Sequence, residues 1–214
     1  MVAVTDSPRR AAVERILGRY LVEIVERHDL CPWARSTREG GEVAIDVVWG
    51  TAPTDDSWVA AAQRMLDRPE TRVAMIVAPE LDIDPSELRD VRSRIATRVP
   101  TAGVADFHPD APLDLTNPAR LVPFVRRAPD PLIQLVPFAI LDAVRTPQPL
   151  ADRAQQALLL RGHSSPPPRD VAARIAALNH ARVSESQAEI LATLDDIRRD
   201  RRESYARVGI STSR

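Results

Sequence analysis

The stretch Arg72-Val73-Ala74-Met75-Ile76-Val77-Ala78 is a continuous apolar run behind a single arginine, bounded by polar residues. A run of this length and composition reads as a central strand covered on both faces. Upstream, Glu42 to Trp49 reads as a second strand, with Val43, Ile45 and Val47 on one face. Between them, Asp55-Asp56-Ser57 caps a helix running to about Leu66. Downstream, Asp84-Pro85-Ser86-Glu87 has the form of a capping box with proline at the first helical position. The helix it opens carries Leu88, Val91, Ile95 and Val99, and Ala102 to Phe107 follows as a third strand. Residues 42–107 therefore alternate strand, helix, strand, helix, strand, the pattern of a parallel sheet built through right-handed crossovers. Sites in such sheets lie outside the carboxyl ends of the strands. His108 stands directly after the third strand.

On the amino-terminal side, Ser7-Pro8 starts a helix whose apolar stripe is Val13, Ile16, Leu17, Tyr20, Leu21, Ile24 and Val25. It should stop near His28 or Asp29, because Pro32 drives Cys31 out of helical geometry. On the carboxyl side, Pro109 to Pro131 is proline-rich and irregular, with a short helix over Pro118 to Arg127 that Pro123 would interrupt. Leu132 to Val136 is a fourth strand, and Pro137 begins a helix through about Val144. Helical stretches follow between Leu150 and Arg161, after Arg169 and after Ser184. Arg198 to Arg202 reads as a solvated charged face. The expected fold is α/β: a small, mostly parallel sheet of three or four strands flanked by helices, with a C-terminal helical arm. A ferredoxin-like α+β sandwich is the alternative and requires antiparallel neighbours. Residues 1–149 form the α/β core domain and 150–214 a helical extension packing on it.

The chain has 214 residues, 44% hydrophobic and 28% charged, which is enough for a soluble globular core without staples. All 29 basic side chains are arginine, so Schiff-base and phosphate-loop lysines are excluded. The net charge of −1 provides no field for nucleic acid or an anionic membrane. One cysteine rules out an internal disulfide framework. The sequence lacks an apolar run of membrane-spanning length and a signal-peptide order at its start, so the expected location is cytoplasmic. GxSxG, GxGxxG and GxxxxGK are absent.

Three pieces of sequence occur in a telling order: Leu30-Cys31-Pro32-Trp33-Ala34, Phe107-His108-Pro109, and Arg126-Arg127-Ala128-Pro129-Asp130-Pro131 ahead of an apolar run. Together they resemble the bacterial family catalogued as domain of unknown function 1415, over about Leu21 to Leu178. That family's first motif reads Leu-Cys-Pro-Phe-Ala, its second Phe-His-Pro, and its third Asn-Arg-Ser-Pro-Tyr-Pro. Here Arg126, Ala128 and Asp130 stand in place of Asn, Ser and Tyr, Gln134 in place of a histidine and Pro137 in place of an arginine. The resemblance implies a diverged member and marks positions; the family carries no activity to import.

Cys31 reads as a thiol nucleophile or soft metal ligand, or else as a small buried hydrophobe. Because it follows a helix carboxyl end, whose dipole raises a thiol pKa, activation has to come from elsewhere in the fold. His108 is the candidate acid/base or ligand. Asp106 lies two residues before it on the same strand face, where a carboxylate would set its tautomer. Arg127, with Arg126 beside it, is the candidate clamp for a carboxylate or phosphate. His28 reads as a helix cap, and His163 and His180 as surface residues. The cofactor stays open between none, a metal held by Cys31, His108 and an aspartate, and a haem ligated through Cys31 and His108. Two functions stay open as well. One is an enzyme acting on a small anionic molecule through Cys31, His108 and Arg127. The other is a non-catalytic binding or adaptor protein that uses the helical arm. The oligomeric state is not legible.

Overall fold

A computed structural model of the chain describes residues 6–145 and 171–212. The helix expected between Leu150 and Arg161, His163 and the expected boundary between core and extension lie outside the described residues. In chain order the elements are α1 (Asp6–Arg19), a π-helical segment (Tyr20–Glu26), α2 (Ala34–Glu39), β1 (Val43–Val47), α3 (Asp55–Leu66), β2 (Val73–Val77), α4 (Pro85–Arg98), β3 (Ala102–Phe107), α5 (Pro118–Val125), β4 (Leu132–Pro137), α6 (Phe138–Arg145) and α7 (Val171–Val208). Local chemistry explains most of these ends. Asp84 accepts from the backbone of Ser86 and Glu87 while the Glu87 carboxylate accepts from the Asp84 backbone, so the capping box is complete. Thr54, one residue before the expected cap, caps α3 by accepting from the Ser57 N–H. Asn117 caps α5, which continues through Pro123.

The four strands form one α/β sheet in the order β1-β2-β4-β3. β1 and β2 pair in parallel, whereas β4 pairs antiparallel with both β2 and β3. The expected mostly parallel pairing thus holds only between β1 and β2, although β1, β2 and β3 do share one direction. The cause is the connection from β3 to β4. Phe107, the last residue of β3, lies opposite Leu132, the first of β4. The chain re-enters the sheet at the end where it left, so β4 must run backwards. The ferredoxin-like alternative is not formed, because a helix stands between every successive pair of strands.

Each face of the sheet is covered. Ala44, Ala74, Ile76, Ile133 and Leu135 pack with Trp58, Ala62 and Met65 of α3 and Leu88 and Ile95 of α4. Val47, Met75, Val77 and Leu132 pack with Ile16 and Leu17 of α1, Leu121 and Phe124 of α5, and Val183, Ile190, Leu194 and Ile197 of α7. The C-terminal helix is therefore one wall of the main core. It spans the two helical stretches read from the sequence, with the break between them surviving as non-helical geometry at Ser186 (φ −113°, ψ 18°).

The arginine-rich turn of α7 is only in part the solvated face expected: Arg199 and Arg202 are exposed, but Asp200 and Arg201 face the rest of the fold. Asp200 takes both guanidinium nitrogens of Arg15 at 2.7 Å and one from Arg19 at 2.8 Å, joining α7 to α1. Arg201 is only 7% exposed and turns inward. The reason is the spacing: Arg15 and Arg19, four apart on α1, face Asp196 and Asp200, four apart on α7. Hydrogen bonds from Arg15 and Arg19 hold the Asp200 carboxyl well below its usual range, against the opposing effect of burial. A depressed carboxylate stabilises the fold above its unfolded pKa and stops doing so as pH falls through its folded one. Asp200→Asn should therefore cost about 1–2 kcal/mol at pH 7. Urea titrations at stepped pH should show this difference shrinking below about pH 4.

Candidate functional site

The Cys31 turn is built by an abrupt change of helix geometry. After Arg19 the first helix widens into the π-helical segment, and Asp29 takes a left-handed conformation (φ 49°) that reverses the chain. The Leu30 N–H still reaches Val25 O at 2.8 Å, and α2 opens three residues after the cysteine. Sequence reading did not expect α2. Cys31 consequently lies between two helices. The backbone N–H groups of Trp33 and Ala34 favour its thiolate, but burial outweighs them and pushes the thiol pKa above its ordinary value.

Cys31 lines a cavity of about 380 Å³ between the π-helical segment, the sheet, α5 and the start of α7. Its walls include Tyr20, Met75, Phe107, Leu121, Leu132 and Ile175, with Arg126, Gln134 and Asn179 as polar members. The Tyr20 hydroxyl donates to Val125 O at 3.1 Å, which pins the turn carrying Arg126. The Arg126 guanidinium lies 5.9 Å from the centre of the Phe107 ring, and among the described residues it forms no hydrogen bond or ion pair. Burial lowers its pKa, and Arg92 adds to that, while Asp106 and Tyr20 act in the opposite direction. Gln134 is an amide on a strand paired on both sides, opposite Met75 and Ala105, and its side chain faces this cavity.

His108 does not enter that cavity. It lines a separate cleft of about 210 Å³ with Pro79, Asp110, Pro131, Arg198 and Arg202. The residue is 3% exposed and both ring nitrogens are engaged. Nδ1 accepts the Asp110 N–H at 3.0 Å, so the proton sits on Nε2, which donates to Ile83 O at 2.8 Å. The ring therefore latches the loop before α4 to the exit of β3 and has no free lone pair. Asp106 turns to Arg92 at 3.4 Å rather than to the His108 ring. Arg127 donates from Nε to Ala111 O at 2.8 Å and lies over the Phe124 ring, which makes it a loop-bracing arginine. Burial and the neighbouring Arg198 lower its pKa.

The partition has a simple origin. Adjacent residues of extended chain point to opposite sides. Phe107 and Arg126 go to one cavity and His108 to the other, and the His108 N–H to Arg126 O bond of 3.1 Å closes the wall between them. Cys31 and Arg126 are brought together; His108, Asp106 and Arg127 are not brought to them. An axial pair of Cys31 and His108 about one haem does not fit this separation. No group of three or more His, Cys, Asp or Glu side chains able to hold a metal occurs among the described residues. Of the other described histidines, His28 has burial lowering its pKa and an Nε2 with no hydrogen-bond partner among the described residues, while His180 contacts Leu115 O at 2.9 Å.

Sequence reading passed over Tyr20, Gln134 and Asn179 as site residues. Asn179 had a signal: it interrupts the apolar four-residue spacing Ile175, Asn179, Val183 on α7. Geometry thus defines a three-layer α/β protein with an amphipathic cavity between its sheet and its terminal helices. No family model, no curated protein and no solved structure matches the chain. Among the described residues, no helix is long and apolar enough to cross a membrane.

Proposed function

We propose that the chain is a binding protein for a small amphipathic anion, held in the cavity beside Cys31. Arg126 carries this reading. Arg126 is half-buried and its guanidinium has no hydrogen-bonded counter-ion among the described residues, so part of its hydration is lost without a replacement. An entering carboxylate offsets that loss through charge-assisted hydrogen bonds, and the apolar walls bury the rest of the ligand. Two positions at which the chain departs from the motif it resembles, Arg126 and Gln134, are polar members of this wall. Binding is favoured over thiol catalysis because burial raises the Cys31 pKa and because His108 is committed to backbone partners in another cleft.

Octanoate is a suitable probe, with one carboxylate on an unbranched apolar chain. Calorimetric titration should show saturable binding, weakened about 10–100-fold in Arg126→Met. The same substitution should leave the unliganded protein as stable as the parent or about 1 kcal/mol more stable, because it replaces a half-buried guanidinium that has no ion-pair partner among the described residues. Equal octanoate affinity in parent and Arg126→Met would sink the proposal, as would no binding to the parent.

A further inference from the structure

Asn179 is 6% exposed and lines the cavity from α7. Its Nδ2 donates to Leu30 O at 3.0 Å, holding the turn that carries Cys31. That bond fixes the orientation of the amide, since rotating it would set two oxygens against each other. Oδ1 is therefore an acceptor. It is buried and has no hydrogen-bond partner among the described residues. Bracing the turn accounts for one end of this side chain and leaves the other unexplained. Buried acceptors are nearly always satisfied, and an unsatisfied one at the wall of a ligand cavity points to a donor on the ligand.

The donor's charge can be read from the same wall. Among the described residues, those lining the cavity include Arg126 and Arg38 and no aspartate or glutamate. Arg38 is neutralised by buried Glu26, at 2.5 Å, so Arg126 is the charge left for the ligand to meet. An ammonium group on the ligand would enter without a counter-charge beside a guanidinium, which is unfavourable. We infer that the ligand is a monocarboxylate bearing a neutral hydrogen-bond donor, a hydroxyl or an amide N–H, on its apolar chain, and that Asn179 Oδ1 accepts from it. This rests on the reading of the cavity as an anion site and names the ligand class that the site selects. Asn179 is then a specificity-determining residue, and it couples the ligand to the Cys31 turn through its second hydrogen bond.

The test compares octanoate with its seven positional isomers hydroxylated at carbons 2 to 8, titrated into the full chain. At least one isomer should bind roughly tenfold more tightly than octanoate, as one satisfied buried acceptor implies. In Asn179→Leu the ratio of hydroxy-isomer affinity to octanoate affinity should fall to about one, whatever happens to octanoate affinity itself. Should that variant not fold, the isomer series in the parent protein decides alone. If octanoate binds in an Arg126-dependent way but no hydroxy isomer exceeds it, the inference about Asn179 is overturned and the anion cavity stands. If neither octanoate nor any isomer binds, both are overturned.

Discussion

Asp130→Ala is expected to lower the unfolding free energy by about 3–5 kcal/mol, read from urea or guanidinium midpoints. Asp130 is 1% exposed, at the entrance to β4. One carboxylate oxygen accepts from Arg201 Nε at 2.7 Å and the other from the Tyr205 hydroxyl at 2.6 Å, both from the last turns of α7. Burial and the adjacent carboxylate raise the Tyr205 pKa, so the phenol stays protonated and donates. Arg201 also donates to Pro79 O at 3.1 Å, which ties the exit of β2 into the same cluster. Removing the carboxylate leaves a buried guanidinium and a buried hydroxyl short of their acceptor. That imbalance, more than the lost attraction, is the source of the cost. The triple variant Asp130→Leu, Arg201→Met, Tyr205→Phe replaces all three polar groups by apolar ones and should recover most of the loss. A triple variant as unstable as Asp130→Ala would show that packing at this position, not an unpaired charge, sets the cost.

His108→Leu is expected to cost about 2–4 kcal/mol while leaving octanoate affinity within about twofold of the parent. The imidazole satisfies the Asp110 N–H and the Ile83 carbonyl, and leucine satisfies neither. Both backbone groups belong to loops at one edge of the sheet, so their loosening should appear as faster amide exchange near Ile83 and Asp110. The Cys31 thiol provides the control. With its pKa raised by burial, its alkylation should be slower than that of a free thiol at neutral pH, and its pH profile should be the same in His108→Leu. A profile displaced to higher pH by the substitution would mean that the histidine acts on the cysteine after all.

These two residues illustrate different limits of reading a chain without its fold. His108 was visible because a histidine flanked by proline at a strand end is conspicuous, but the same position suits a catalytic base and a latch equally well. Only the partners of its two nitrogens separate them, and one of these, Ile83, is 25 positions away. Asp130 stood out only as a departure from a motif. Its role depends on Arg201, 71 positions downstream, in a segment that reads as solvated because five charged residues follow one another. Asn179 was detectable as a polar break in an apolar stripe, yet its partner Leu30 lies 149 positions away.

Much of the architecture was nonetheless written in short stretches. The capping box at Asp84, the apolar run of β2, the position of β3, the stop imposed before Pro32 and the break near Ser184 all follow from hydrogen bonding and periodicity over a few residues. Forces of such short range act the same way whatever surrounds them, so the strands, the principal helices and the α/β class could be derived from the sequence alone. The direction of β4 could not, because it depends on which end of the sheet the chain re-enters after α5. Nor could the separation of Cys31, Phe107 and Arg126 in one cavity from His108 and Pro131 in another. That division is set by which side of a backbone wall each residue faces, and the wall exists only once β3, the turn after α5 and α7 have come together.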